Sequence, residues 1–258
     1  MIKIVLCGAA GRMGKEIINI VQSLDNIKIV AGIEIKGHRS VGGKISGIQI
    51  GDDLLASIDD ADCVIDFTNH KATVDYLKKV KDYKKPYVTG TTGFTDEEHE
   101  QIKSLSKIFP IFLAPNMSKG VNHLYNLVGS SAGVLSDYDI EIIETHHKDK
   151  KDAPSGTAKA IAQIIKSERP DVHFVYGRQG MIGARASEEV CINSVRGGDV
   201  VGEHRILFLG DGEFVELRHY ATSRRCFASG AIAAVMYIVN KPAGLYGMQD
   251  LLTQIASQ

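Results

Sequence analysis

The first half of the chain alternates short apolar runs with helix-like stretches. The apolar runs lie at Lys3–Cys7, Ile27–Ile33, Cys63–Phe67, Tyr87–Thr89 and Ile111–Leu113. Between the first two runs, apolar residues from Met13 to Leu24 recur at the spacing of one helix face. Short strands that alternate with helices are typical of a parallel sheet covered on both faces. The pattern therefore predicts a doubly wound α/β domain.

The pattern changes after about residue 118. A strand-like run, Asp139–Thr145, leads into a polar loop, and apolar residues within 158–165 then mark a helix. Asp211-Gly212 separates two β-rich runs, Arg205–Leu209 and Glu213–His219, which is a strong signal for a hairpin. These features predict a second, α+β unit with an antiparallel or mixed sheet.

Composition excludes several classes of function. The chain has 258 residues, is 44% apolar and carries a formal charge of −1, so no global charge attracts nucleic acid or an anionic membrane. Its longest apolar run, Ala231–Val239, is far shorter than the ~20 residues that span a bilayer. The apolar N-terminal run is short and continues directly into a predicted strand, so we expect a cytoplasmic protein. The four cysteines are scattered, so no metal site is indicated.

A glycine-rich loop, residues 8–14, lies between the first predicted strand and the first predicted helix. Glycines at this place let the backbone approach a dinucleotide pyrophosphate, although the spacing G-x-x-G-x-x-G departs from the common G-x-G-x-x-G. Glu34 follows the second strand, where an acidic residue binds the adenosine ribose hydroxyls. The pattern predicts a Rossmann-type nicotinamide cofactor site; the alternative is an ordinary glycine-rich turn beside a surface glutamate.

The choice between NADH and NADPH depends on the charges near Glu34. Its carboxylate repels a 2′-phosphate, whereas Lys36, His38, Arg39 and Arg12 could neutralise one. We therefore expect NADH to work and keep NADPH as a second cofactor.

Two later strand ends carry small, hydroxyl-rich loops. These are Asp66-Phe67-Thr68 and Gly90-Thr91-Thr92-Gly93. Ligands of open α/β sheets bind beyond the carboxyl ends of the strands, so both loops are candidates for ligand contact, with ordinary turns as the alternative.

The densest polar cluster is residues 146–157, between a predicted strand and a predicted helix. Two histidines and three lysines lie within residues 146–151. Ser155-Gly156-Thr157 then opens the helix, where free N–H groups, two hydroxyls and the helix dipole suit a carboxylate. The cluster predicts a small acidic substrate; the alternative is a solvated basic loop before a capped helix.

These segments resemble the 4-hydroxy-tetrahydrodipicolinate reductase family, also called dihydrodipicolinate reductase, of the diaminopimelate–lysine pathway. The matching segments are GAAGRMG at 8–14, DFT at 66–68, GTTG at 90–93, APNMSKGVN at 114–122, ETHHKDKKDAPSGTA at 144–158, GDVVGEH at 198–204 and GLYGMQDLL at 244–252. They span nearly the whole chain in order.

The resemblance implies roles for particular residues. It assigns the cofactor to Gly8, Ala9, Ala10, Gly11, Arg12 and Met13, with Glu34 on the ribose and with Gly90, Thr91, Thr92, Ala114, Pro115, Asn116 and Met117 beside the nicotinamide. It also makes His146 the acid/base residue, Lys150 the proton donor, and His147, Gly156 and Thr157 the binders of the substrate carboxylates, to which the helix start adds Ser155. Ile35 replaces a residue that is often basic in the family and helps to hold a 2′-phosphate, so NADH is the preferred expectation.

The resemblance further implies how the domains and subunits are organised. The helix-like segment near the C-terminus rejoins the first domain, which gives residues 1–118 and 225–258 to the cofactor domain and 119–224 to a substrate-binding and oligomerisation domain. A homotetramer assembled through the second domain's sheet is expected. The expected activity is NAD(P)H-dependent reduction of a cyclic dicarboxylate, with hydride added at ring C4. The alternatives are another Rossmann oxidoreductase of small acids and a non-catalytic nucleotide sensor.

Overall fold

A computed structural model of the chain describes residues 1–257. In chain order the strands are β1 (Ile2–Cys7), β2 (Ile27–Ile33), β3 (Lys44–Ile45), β4 (Ile48–Gly51), β5 (Cys63–Asp66), β6 (Tyr87–Thr89), β7 (Pro110–Leu113), β8 (Asp139–His146), β9 (His173–Val175), β10 (Glu189–Arg196), β11 (Gly202–Gly210), β12 (Glu213–Ala221) and β13 (Gly244–Tyr246). The helices are α1 (Arg12–Val21), α2 (His70–Val80), α3 (Asp96–Leu105), α4 (Lys119–Val134), α5 (Gly156–Glu168), α6 (Arg225–Ile238) and α7 (Met248–Ala256). Within the described chain, no helix has the length and apolar character needed to cross a membrane.

The chain divides into two compact units. The first contains Met1–Lys119 together with the segment that begins at Arg224, and the second is Gly120–Ser223. The second unit is therefore a continuous insertion between two segments of the first. β13, α6 and α7 all belong to the first unit.

The sheet of the first unit has the strand order β13-β7-β6-β5-β1-β2-β4-β3. All neighbouring pairs are parallel except β3 with β4. β1 lies between β2 and β5, so the order of the strands reverses there, which is where doubly wound sheets bind their ligands. The doubly wound α/β fold and its five predicted strands are confirmed, while β3, β4 and β13 extend the sheet beyond the prediction.

Strand β1 is apolar on both sides, and a hydrophobic core packs against each face of the sheet. Ile4 and Leu6 pack in a core that includes residues of α1 and α6. Val5 and Cys7, which point the other way, pack in a second core that includes residues of α2 and α3. Each of these four side chains is 0% exposed, and full burial of an aliphatic side chain stabilises the fold by ~1.5–3 kcal/mol.

The second unit contains a five-stranded mixed sheet in the order β12-β11-β8-β10-β9. β8 pairs in parallel with β10 and antiparallel with β11, which continues antiparallel into β12. The β11–β12 connection turns at Asp211 and Gly212, where Gly212 adopts a φ of 82°, so the predicted hairpin is confirmed. The core of this unit joins residues of α4 and α5 to the alternating residues Ile140 and Ile142 of β8.

Candidate active site

The glycine-rich loop joins β1 to α1 with the backbone held close to neighbouring strands. Gly8 has a φ of 80°, and a Cβ there would lie 2.7 Å from the carbonyl oxygen of Phe67, so glycine is required. A Cβ at Gly14 would lie 2.3 Å from the carbonyl oxygen of Gly8. Gly11 is the N-cap of α1 and provides no side-chain cap, which leaves N–H groups of the first turn for an anion. This geometry suits a pyrophosphate.

Glu34 lies next to this loop, immediately after β2. Its Oε1 accepts a hydrogen bond of 2.7 Å from the backbone N–H of Ala10. The half-buried carboxylate therefore stands at the rim of the loop, where a ribose would lie if the pyrophosphate occupied the start of α1. Ile35 is 72% exposed, and Arg12 and Lys36 are exposed as well.

A small apolar cavity lies beyond the ends of β5, β6 and β7. Its volume is about 240 Å³, and its walls are Met13, Phe67, Gly90, Ala114, Pro115, Asn116, Met117 and Phe227. Five of these residues, namely Gly90 and the four from Ala114 to Met117, were expected beside the nicotinamide. The fold thus brings residues from the loops after β5, β6 and β7 to one place. Thr91 is buried behind this region, and Thr92 is exposed.

A buried carboxylate holds the loops around this cavity. Asp66 accepts hydrogen bonds from Thr68, from the hydroxyl of Thr73 at 2.5 Å and from the hydroxyl of Tyr87 at 2.8 Å. The Thr73 hydroxyl lies 3.0 Å from that of Thr91. Burial raises the pKa of Asp66, while these hydrogen bonds act in the opposite direction. Asp66 therefore points into the protein and fixes the two hydroxyl-rich loops from below.

His146 ends β8 and continues the stripe of residues that faces the core of the second unit. Its Nδ1 lies 2.6 Å from Oε2 of Glu144. Gly202 lies opposite, and a Cβ there would be 3.0 Å from His146 Nε2. Within the described residues Nε2 has no hydrogen-bond partner in the structure, so this nitrogen is the one that can serve a substrate.

Lys150 follows in the loop after β8. Its Nζ donates a hydrogen bond of 2.6 Å to Oδ1 of Asp152, and this contact lowers the pKa of Asp152. His147 is half-buried, and its backbone N–H bonds the carbonyl oxygen of Val200 at 2.8 Å. The loop is thus attached to the β10–β11 connection at its beginning and held by an ion pair further along.

The start of α5 differs in one respect from the predicted anion pocket. Ser155 is 2% exposed, its Oγ accepts the N–H of Ala158 at 3.1 Å and lies 2.9 Å from Nε2 of His204. Its hydroxyl is therefore occupied within the fold. Gly156 is exposed, with nothing within 4 Å of a Cβ position, and the Thr157 hydroxyl bonds that of Tyr125. The helix start thus offers backbone N–H groups, not the Ser155 hydroxyl.

Two kinds of residue at these sites escaped the sequence analysis. Phe227 lines the apolar cavity, and Glu144 and Arg196 contact each other beside His146. Glu144 carried a signal, because it places an ionisable residue in the apolar period-two stripe that begins at Ile140, and such a residue must be paired. Nothing in the sequence pattern points to Arg196 or Phe227. Among residues 1–257, no group of three or more His, Cys, Asp and Glu side chains is placed to hold a metal ion.

Two family descriptions match the chain almost from end to end. "Dihydrodipicolinate reductase, N-terminus" matches residues 2–117, and "Dihydrodipicolinate reductase, C-terminus" matches residues 120–252. The chain belongs to the dihydrodipicolinate reductase family. Family membership makes it an oxidoreductase, and members of this family use a nicotinamide cofactor and act in diaminopimelate and lysine biosynthesis.

Individual relatives of this dihydrodipicolinate reductase family agree. The chain is 40% identical to the 4-hydroxy-tetrahydrodipicolinate reductase of Syntrophobacter fumaroxidans, over 98% of this chain and 99% of the relative. It is 42% identical to that of Anaeromyxobacter sp. strain Fw109-5, over 98% of each. A solved dipicolinate-bound dihydrodipicolinate reductase from Paenisporosarcina sp. TG-14 shares 28% identity at a TM-score of 0.78, over 97% of this chain and 99% of that chain. The family and the fold class that the sequence predicted are confirmed.

Proposed function

We propose that the protein reduces 4-hydroxy-tetrahydrodipicolinate to tetrahydrodipicolinate with NAD(P)H, using the residues described above. The observation that carries this assignment is the state of His146, whose Nδ1 is bonded to Glu144 while its Nε2 is left for a ligand. Lys150, four residues later, supplies a second proton-bearing group. An acid/base pair of this kind is what a reduction that consumes one proton requires.

The first unit would hold the cofactor. The uncapped start of α1 suits the pyrophosphate, Glu34 suits the ribose, and the apolar cavity of about 240 Å³ suits the nicotinamide ring. When bound, the cofactor would supply a hydride for ring C4 of the substrate, and the C4 hydroxyl leaves as water, so one hydride and one proton are consumed for each water released. We propose NADH as the preferred form because Glu34 repels a 2′-phosphate and exposed Ile35 offers it no hydrogen bond; Lys36 is the side chain that could still admit NADPH.

The second unit would hold a small dicarboxylate. The N–H groups at the start of α5 and the helix dipole favour one carboxylate near Gly156 and Thr157. The lysines of the preceding loop add positive charge, and His147 adds a ring that can form hydrogen bonds. The dipicolinate bound to the solved relative is a dicarboxylate of the same kind. Fixing both carboxylates would orient the ring as well as bind it.

Proton delivery falls to Lys150 and His146. Lys150 is held by Asp152 at 2.6 Å, so its Nζ must leave this exposed carboxylate to reach the substrate. His146 exchanges protons only at Nε2, because Nδ1 is bonded to Glu144. The proposal thus assigns the cofactor to the first unit and both proton-bearing groups to the second.

The outer face of the second sheet supports the prediction of a homotetramer. Val195 and Tyr220 belong to one row across the sheet, through Thr145 and Glu203, and are 48% and 49% exposed. Large apolar side chains on an exposed sheet face suit a subunit interface. The mass in solution measured by light scattering tests this, since a monomer would contradict it. The cytoplasmic location stays a prediction.

Turnover is tested by the loss of nicotinamide absorbance when the protein is mixed with NADH, then NADPH, and substrate formed in situ from pyruvate and aspartate semialdehyde. Oxidation that requires both protein and substrate would support the reductase and rank the cofactors. Cofactor binding without oxidation, with substrate formation verified separately, would favour the nucleotide sensor.

The role of Lys150 is tested with Lys150→Ala and with the control Lys151→Ala, which removes an exposed neighbour in the same loop. We expect Lys150→Ala to lower kcat by roughly 100-fold or more, as for loss of a general acid, with unchanged Kd for NADH. Lys151→Ala should stay near the wild type. Equal kcat values in the two variants would contradict the assignment.

A further inference from the structure

The carboxylate of Glu144 is completely buried and is surrounded by donors from three elements. Its Oε2 accepts from His146 Nδ1 at 2.6 Å and from Arg196 Nη1 at 2.8 Å. Its Oε1 accepts from Arg196 Nη2 at 2.7 Å and from the backbone N–H of Ser155 at 3.1 Å. Glu144 is 0% exposed, so the carboxylate itself is shielded from solvent, while Arg196 is half-buried. One carboxylate thus contacts the acid/base histidine, an arginine of β10 and the N-cap of α5.

We infer that Glu144 is the positioning residue of the active site, which fixes the tautomer of His146 and at the same time anchors the anion-binding start of α5. This inference rests on the proposed function, in which His146 exchanges protons and α5 binds a carboxylate. It adds that one residue, Glu144, supports both proton exchange at His146 and carboxylate binding at α5. Arg196 takes part by balancing the buried charge, because a carboxylate removed from water is stable only when it is paired.

The ionised state of Glu144 determines which nitrogen of His146 carries the proton. Burial by itself raises the pKa of Glu144, but the hydrogen bonds from His146 and Arg196 outweigh it, and the net pKa lies well below the usual range. An ionised carboxylate can only accept hydrogen bonds, so His146 must donate from Nδ1. Nδ1 then keeps its proton whether the ring is neutral or charged, and every exchange with substrate occurs at Nε2.

The other groups that face His146 leave this arrangement undisturbed. His204 of β11 lies edge-on to it, with ring centres 5.2 Å apart, and burial, with the nearby His146, lowers the pKa of His204 to about 3. His204 is therefore neutral at neutral pH and is tied to Ser155 through Nε2. Gly202 of β11 has no side chain that would fill the space beside His146 Nε2. The charged groups near His146 are thus Glu144 and Arg196, together with Lys150 in the loop after β8.

A glutamine at position 144 separates this role from simple packing. Its side chain has the same shape, but one of its two terminal atoms is an NH₂ group, which donates. If that group took the place of Oε2, it would face the donors of His146 and Arg196; in the place of Oε1 it would face those of Ser155 and Arg196. The substitution therefore removes either the acceptor for His146 Nδ1 or the acceptor for the Ser155 N–H. Either the tautomer of His146 or the start of α5 must then change.

The test compares Glu144→Gln with Glu141→Gln. Glu141 lies on the same strand but outside the stripe of residues that holds Glu144, and its carboxylate likewise accepts two bonds from an arginine, Arg178 at 2.8 and 3.0 Å. We expect Glu144→Gln to lower kcat/KM by roughly 10- to 100-fold, the usual effect of losing a group that orients a functional histidine, with an unchanged Kd for NADH. Glu141→Gln should keep kcat/KM within about twofold of the wild type, as expected for a substitution away from the site. Glu144→Asp keeps the charge on a shorter side chain, so its kcat/KM should lie above that of Glu144→Gln and below that of the wild type.

A second readout does not depend on turnover. Nitrogen-15 NMR of labelled protein, with the His146 signal assigned by loss in His146→Asn, reports which ring nitrogen is protonated. The wild type should show the Nδ1–H tautomer, and Glu144→Gln should show its loss or a mixture of tautomers. An Nε2–H tautomer in the wild type would overturn the inference, even if Glu144→Gln failed to fold.

The outcomes distinguish a failure of the inference about Glu144 from a failure of the proposed function. If the wild type turns over substrate and Glu144→Gln matches Glu141→Gln in kcat and KM, the inference about Glu144 is wrong while the proposed function stands. If the wild type oxidises neither cofactor, the proposed function is wrong, and the NMR measurement still decides how His146 is held. A fall in kcat/KM together with the expected tautomer change supports both.

Discussion

Helix α6 packs closely against the loop after β7, with only a hydrogen atom of Gly230 at the point of contact. A Cβ built on Gly230 would lie 1.7 Å from the carbonyl oxygen of Met117, which lines the apolar cavity. Ordinary carbon–oxygen contacts are about 3.3 Å, so Gly230→Ala requires the helix or the loop to move by roughly 1.5 Å. Overpacking of this kind costs ~1–3 kcal/mol, and replacing glycine by alanine in a helix returns ~1 kcal/mol. We expect a net loss of up to about 2 kcal/mol, which lowers Tm by up to ~8 °C.

The same displacement should affect binding more than its cost in stability suggests. A shift of about 1 Å in a positioning group can lower activity ~100-fold. In Gly230→Ala the Kd for NADH should therefore rise and kcat should fall. Gly133→Ala is the control, because the new Cβ would meet only the side-chain Oε2 of Glu168, at 3.5 Å. Thermal unfolding and NADH titration are measured on both. If Gly230→Ala equalled Gly133→Ala in Tm and in NADH affinity, the packing argument would fail.

Three further predictions concern charge. His204, with an ordinary pKa of 6.5 lowered to about 3 in the fold, stays neutral while the unfolded chain binds a proton between these values. Stability should therefore fall as pH falls through this window, by up to ~1.4 kcal/mol per pH unit, and His204→Gln should flatten the slope in urea unfolding; an unchanged slope would refute this. Glu34→Gln should raise the Kd for NADH roughly 10-fold or more, as for loss of a charged hydrogen bond, while substrate affinity stays constant. Ile35→Arg should shift the ratio of kcat/KM values toward NADPH, and no shift would count against the role given to that position.

Much of the fold followed from apolar periodicity, because the central strands are long apolar runs. β1, β2 and β5 are buried on both faces and stand out in any hydrophobicity pattern. β13 escaped because it has three residues, Gly244–Tyr246, one of them glycine, and its partner β7 is distant in sequence. β10 escaped because its burial changes along its length, from buried residues near Val190 to exposed Val195. Short edge strands and strands with changing environments give weak patterns.

The candidate site was predictable only in part. The cluster from His146 to Thr157 attracted attention by its density of charge, and the glycine loop by its place between a strand and a helix. The structure changed the reading of Ser155, whose hydroxyl caps α5 in place of facing a ligand. Arg196 reaches Glu144 from a strand fifty-two residues away, and no local pattern encodes such a pairing.

The insertion of the second unit has a consequence for biosynthesis. One face of the first sheet, that of Ile4 and Leu6, is covered in part by α6, and one edge is completed by β13. Both elements emerge from the ribosome only after the whole of Gly120–Ser223. The inserted unit is continuous in sequence, so it can complete its own fold while the preceding strands of the first unit still await α6, which is synthesised later. A nascent chain in which Gly120–Ser223 has left the ribosome and α6 has not should therefore expose the apolar face formed by Ile4 and Leu6 to chaperones, although the second unit is already folded.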